Sequence, residues 1–103
     1  MKDHKLSEKE GADDFLGQLV PFSGAGIEPL DFETGGKYDG YLVENKHTVR
    51  KSYSIQFDYF KAQERRARMV GKKFFLRIDN GKDEPIIGIR QSLFKEMFPN
   101  EES

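Results

Sequence analysis

Six turn-forming residues, Gly35-Gly36-Lys37-Tyr38-Asp39-Gly40, separate two segments rich in strand formers, and this arrangement most limits the folds open to the chain. Leu30-Asp31-Phe32-Glu33-Thr34 precedes the break, and Tyr41-Leu42-Val43-Glu44-Asn45-Lys46-His47-Thr48-Val49 follows it. Two such segments joined through a Gly-rich turn predict a β-hairpin. Upstream, Ser7 and Glu10 have capping-box spacing and predict a helix start. Ala12, Phe15, Leu16 and Leu19 then recur on one helical face, and the helix is expected to end before Pro21. Phe22-Ser23-Gly24-Ala25-Gly26 reads as a loop of mostly small residues. Downstream, Ser52 or Ser54 is expected to cap a long helix that runs to Val70 and ends at Gly71. Residues 73–78 form a strand pattern, Asn80-Gly81 a turn, and Pro85–Arg90 a further strand. Gln91–Phe98 reads as a short helix stopped by Pro99. The expected fold class is α/β: a mixed β-sheet flanked by helices, in the order αββαβ followed by a strand and a short helix.

Size and composition bound the function. A length of 103 residues predicts one domain over 1–103. An apolar content of 36% predicts a thin core that a second copy would help to complete. The absence of cysteine excludes a disulfide scaffold, a thiolate zinc site and a Cys nucleophile. The two histidines, His4 and His47, are too few for a His-rich metal site. No apolar run approaches the length of a membrane span, and the N-terminus MKDHKLSEKEG has no apolar leader core. A soluble, cytoplasmic protein is the expectation. The formal net charge of −1 argues at first against nucleic acid, which usually selects basic domains. That total conceals a division along the chain. Residues 1–36 carry a net −5, whereas residues 46–77 hold 10 basic and 2 acidic groups. The basic stretch is what a polyanionic ligand would require.

Chemistry is concentrated at Glu44-Asn45-Lys46. Glu44 and Lys46 are two residues apart on a strand and therefore share a face. A carboxylate and an ammonium side by side in an apolar strand are costly without a purpose. A second carboxylate would turn the pair into a site for a hard cation such as Mg²⁺. Asp31 and Asp39 are the two candidates. Asp39 lies an odd number of residues before Glu44 and belongs to an Asp-Gly turn. Asp31 lies on the preceding strand, and folding the hairpin returns it beside Glu44. Strand parity favours Asp31.

An Asp, a hairpin and then Glu-x-Lys resembles the signature of the PD-(D/E)XK nuclease superfamily. Here it reads Asp31, Glu44 and Lys46, with Pro29 one place earlier than the usual Pro. The chain is similar in particular to the small phage and archaeal Holliday junction resolvases. Val20-Pro21-Phe22-Ser23-Gly24-Ala25 resembles their Ser-Gly loop, Glu44–Thr48 their catalytic strand, and Ser52–Ile55 the start of their next helix. The likeness runs from about Ser7 to Phe98.

This resemblance implies a restriction-endonuclease-like core and a Mg²⁺-dependent endonuclease, with Mn²⁺ as a possible substitute metal. It implies a homodimer acting on branched DNA in recombination, in the host cytoplasm if phage-encoded. Glu8, Asp31, Glu44 and Lys46 would be catalytic. Asp31, Glu44, the Asn45 backbone carbonyl and Glu8 would hold the metal. Glu8 is chosen over Glu10 because it heads the apolar stripe of the first helix, whereas Glu10 lies about 200° away. Ser23 and Gly24 would cradle a phosphate. His47, Arg50, Lys51, Lys61, Arg65 and Arg68 would contact DNA. Gln63, on the stripe of Gln56, Tyr59, Phe60, Ala67 and Val70, would support the site from behind. Nine phenylalanines, with Phe94 and Phe98 in the last helix, would cover the sheet or a dimer interface.

Overall fold

A computed structural model describes residues 4–19 and 31–99, the side chains of His4 and Asp31 excepted. The expected Ser-Gly loop, with Ser23 and Gly24, lies outside the described residues. The fold is mixed α/β, with a five-stranded sheet and three helices. Helix α1 spans His4–Asp14. Strands β1 (Gln18–Leu19), β2 (Asp31–Glu33) and β3 (Tyr41–His47) follow, with a 3₁₀ turn at Gly36–Tyr38. Helix α2 (Phe57–Met69) leads to β4 (Lys73–Asp79), β5 (Ile86–Gly88) and α3 (Gln91–Met97). The strands lie in the order β1-β2-β3-β4-β5. Only β3 and β4 pair in parallel, with α2 as the crossover between them; the other pairs are antiparallel.

Each face of the sheet has its own core, because side chains alternate along β3 and β4. Leu42, Phe74 and Leu76 bury against Phe60 and Ala67 of α2, with Tyr53 and Ile78 at the margin. Val43 and Phe75 bury against Phe32 and Ala12 of α1, with Phe15, Tyr41 and Ile89 at the margin. Helices on both faces make the middle of β3 and β4 almost continuously buried. Full burial of one such apolar side chain is worth about 1.5–3 kcal/mol.

Three expectations are corrected. Ser7 lies inside α1 and does not cap it; its hydroxyl is used in a buried tertiary network. The first helix also stops at Asp14, so Leu16 and Leu19 are not on it and both are exposed. Leu16 turns into the left-handed region (φ 54°), and the Gly17 N–H closes back onto the Ala12 carbonyl at 2.7 Å. Gly17 is needed there, since a Cβ would lie 2.0 Å from the Glu33 carbonyl oxygen. Leu19 then enters β1 opposite Phe32, a strand of two residues that adds a β to the expected order. Lastly, neither Ser52 nor Ser54 caps α2, which begins after Gln56 without a side-chain cap. Tyr53, ahead of the helix, packs on the core beneath α2. The far end of α2 is as expected. Gly71 takes φ +74°, and the Lys72 and Gly71 N–H groups close on the Ala67 and Arg68 carbonyls.

Candidate active site

The hairpin register sets Asp31 directly opposite Glu44, Phe32 opposite Val43 and Glu33 opposite Leu42. Of the two candidate aspartates, Asp31 is therefore the one brought to Glu44. Asp39 is exposed at the hairpin tip, just after the 3₁₀ turn.

Glu44 and Lys46 lie on the α2 face of β3. The Lys46 ammonium is 3.2 Å from Glu44 Oε1. Tyr59, in the first turn of α2, donates its hydroxyl to the same oxygen, and its ring lies 5.4 Å from Lys46 Nζ. Glu44 Oε2 is buried and accepts no hydrogen bond among the described residues. Glu44, Lys46, Tyr53, Gln56 and Tyr59 share a cavity of about 260 Å³ with Phe60, Phe74 and Leu76. Both tyrosine hydroxyls are held above the ordinary phenol pKa. Desolvation is the main cause for each, and the Glu44 charge adds to it. They therefore remain protonated donors.

Glu8 behaves as its helical position predicts. It is 5% exposed, whereas Glu10 is only half-buried. Desolvation pushes the Glu8 carboxyl up to about 7. It does not line the Glu44 cavity.

The opposite face of β3 carries a second polar cluster that sequence reasoning missed. Asn45 Nδ2 donates to Ser7 Oγ at 2.9 Å, and Ser7 Oγ donates to Asp79 Oδ2 at 2.7 Å. Arg77 donates to Asn45 Oδ1 at 2.8 Å and to the Ser7 carbonyl at 3.0 Å, and it reaches Asp14 at 3.3 Å. The Gly81 N–H donates to Asp79 Oδ1 at 2.8 Å. Ser7, Asn45, Arg77 and Asp79 are all buried. The cluster ties α1 to β3 and β4, and the one available sequence signal is a pair of charges, Arg77 and Asp79, within an apolar strand.

This placement corrects the expectation for His47. Its side chain is 4% exposed, with Nδ1 3.9 Å from Asp79 Oδ2. As the neighbour of Lys46 on a strand it faces the α1 side, and its burial there leaves almost none of the ring accessible for a phosphate contact. The other expected DNA contacts are exposed but dispersed. Arg50 and Lys51 line a separate cleft of about 610 Å³ with Lys82 and Asn80. Lys61, Arg65 and Arg68 lie on α2, roughly 120–180° around the helix from Tyr59. Arg66, seven residues after Tyr59, shares its side and is half-buried, and desolvation lowers its pKa. Helical pitch alone could have picked it out. Gln63 does not line the Glu44 cavity, and its Oε1 is buried without a partner among the described residues.

Among the described residues, no three His, Asp or Glu side chains converge into a metal-sized group; the Asp31 side chain stands outside that statement. The chemistry of the described donors nonetheless suits a hard cation. Glu44 Oε2 is a buried carboxylate oxygen without a hydrogen-bond partner among the described residues, the kind of oxygen a hard cation takes as a ligand. Among the described residues no helix is long and apolar enough to cross a membrane. Comparison with protein-family models, curated proteins and solved structures gives no match.

Proposed function

We propose that this chain is a metal-dependent, structure-selective DNA endonuclease with a restriction-endonuclease-like core, which hydrolyses phosphodiester bonds and resolves four-way junctions as a homodimer. One observation carries this reading: the hairpin register pairs Asp31 with Glu44, two residues before Lys46, at a cavity wall. Glu44 Oε2, without a hydrogen bond among the described residues, adds support.

Asp31 and Glu44 would hold Mg²⁺ or Mn²⁺, helped by the Asn45 carbonyl; Glu8, expected among the ligands, is on α1 outside the Glu44 cavity and has no part in this set. The chemistry such a cation would supply there is Lewis-acid polarisation of the scissile phosphate and a lowered pKa for a water. The chain's own residues do the rest. Lys46 sets a fixed positive charge at the cavity, where it orients the attacking water and offsets negative charge that develops on the phosphate. Tyr53, held protonated, adds a neutral donor at the cavity wall. Phe60, Phe74 and Leu76 wall the cavity and limit water around the reacting groups. Arg50 and Lys51, just past the end of β3, are suited to backbone phosphates, which position a substrate without reading its sequence. Lys61, Arg65 and Arg68, on the outer side of α2 away from Tyr59, would contribute less to phosphate binding.

The test uses purified protein with a synthetic four-way junction, linear duplex and flap DNA, in Mg²⁺ or EDTA. Mg²⁺-dependent cutting of the junction is expected. Asp31→Asn, Glu44→Gln and Lys46→Ala should each lower cutting by about 10³-fold or more while junction binding persists. No metal-dependent cutting of any substrate sinks the enzyme reading and leaves a DNA-binding module. Preference for duplex or flap moves the assignment to another nuclease of the same type.

A further inference from the structure

We propose that Tyr59 is a positioning residue for the Glu44–Lys46 pair, holding the carboxylate by its hydroxyl and the ammonium by its ring, so that Glu44 Oε2 is the oxygen presented to a divalent cation. This inference rests on the metal-dependent reading of the site.

Three contacts meet on one side chain. The Tyr59 hydroxyl donates to Glu44 Oε1, its ring lies 5.4 Å from the Lys46 ammonium, and Glu44 and Lys46 are 3.2 Å apart. Without Tyr59, the ammonium would be the one described donor on Glu44. The carboxylate could then rotate about its terminal bond and offer Lys46 either oxygen, which would put a cation and Lys46 in competition. The hydroxyl removes that freedom. It occupies Oε1 together with Lys46, and Oε2 stays buried and unbonded among the described residues. The aromatic face meanwhile restrains a long, flexible side chain by a cation–π contact. Tyr59 is itself 40% exposed and sits in the first turn of α2, so the sheet core does not depend on its ring. A partner that orients a metal-binding carboxylate is usually worth about 10–100-fold in metal affinity or activity.

Wild type, Tyr59→Phe and Tyr59→Leu separate the two roles. Mn²⁺ affinity is read from the electron paramagnetic resonance of the free ion, and Lys46 accessibility from its acetylation rate by mass spectrometry. Tyr59→Phe keeps the ring and loses the hydroxyl. It should weaken Mn²⁺ binding about tenfold, raise the half-saturating Mg²⁺ concentration for junction cleavage equally, and leave kcat at saturating Mg²⁺ within about threefold. Tyr59→Leu should also acetylate faster at Lys46 than Tyr59→Phe and lose about a further tenfold in saturating kcat. Phe thus rescues the ring function and not the metal affinity, a split that a merely structural residue would not produce. Mn²⁺ affinity in Tyr59→Phe within about twofold of wild type overturns the hydroxyl role. Equal Lys46 acetylation in the Phe and Leu variants overturns the ring role. If wild type binds Mn²⁺ but cuts no DNA, the nuclease reading falls, and the affinity and acetylation comparisons still decide the role of Tyr59. If wild type binds no Mn²⁺, both fall.

Discussion

The two faces of β3 put similar residues to opposite uses. On the α1 face, Asn45 joins Ser7, Arg77 and Asp79 in a buried hydrogen-bonded cluster. On the α2 face, Glu44 and Lys46 sit at a cavity wall, and one carboxylate oxygen is left without a hydrogen bond among the described residues. Burial of polar groups is tolerated when they are paired and costs free energy when they are not. The paired cluster reads as architecture that fixes α1 on the sheet. The incompletely paired face reads as a place prepared for a ligand. The difference arises one residue at a time along a single strand.

The largest expected effect sharpens this contrast. Asp79→Ala removes the acceptor of Ser7 and leaves the buried Arg77 charge short of its partners. It should cost about 3–5 kcal/mol in urea unfolding, as expected when one member of a buried charged cluster is lost. Glu44→Gln should change stability by less than about 1 kcal/mol, because the amide oxygen can keep the Tyr59 hydroxyl and the amide nitrogen replaces an oxygen with no hydrogen bond among the described residues. Equal losses in the two variants would erase the distinction between architectural and ligand-facing polar groups.

Next in size is a pH effect from Glu8. Burial raises its carboxyl from 4.5 to about 7, so the folded state retains a proton that the unfolded chain releases. Stability from this group is fully present below about pH 4.5 and is lost as pH rises toward 7. The total loss is up to about 3 kcal/mol, with a plateau above. Glu8→Gln should flatten that fall, read from urea midpoints at pH 5 and pH 8. Parallel pH profiles for wild type and variant would mean that Glu8 is not desolvated in the protein.

The smallest effect compares the two sides of α2. On the nuclease reading, a duplex approaching the Glu44 cavity along the Tyr59 side of α2 would pass Arg66, which shares that side. Arg66→Ala should lower the slope of log affinity against log salt by about 0.9, one phosphate contact on duplex DNA. The double variant Arg65→Ala, Arg68→Ala should change the slope by less. The reverse order would carry the DNA over the outer side of the helix.

Much of the fold is legible in the residues themselves. Gly35–Gly40 marks the hairpin turn, Gly71 and Asn80-Gly81 mark two chain reversals, and the apolar runs at 41–43 and 74–76 mark the central strands. These signals are local, and local conformational preference carries them. The three corrected expectations share a cause. The Ser7 hydroxyl has two good partners, a helical N-terminus or Asp79 and Asn45, and only the packing of α1 on the sheet chooses between them. Leu16 and Leu19 keep helical spacing, but a left-handed residue and the close passage of Gly17 under Glu33 break the helix first. Tyr53 packs on the core ahead of α2, and the helix starts after Gln56 rather than at Ser52 or Ser54.

The site divides in the same way. The Glu44–Lys46 spacing on a strand, the hairpin parity that favours Asp31, and the burial of Glu8 at the head of an apolar stripe were all determined by periodicity within the sequence. The role of Tyr59 on Glu44 and the withdrawal of His47 into the α1 face were not. They depend on which face of the sheet each helix covers and on how far α2 is rotated against it. The packing of Phe60 and Ala67 onto Leu42, Phe74 and Leu76 settles that rotation, through contacts between segments distant in sequence.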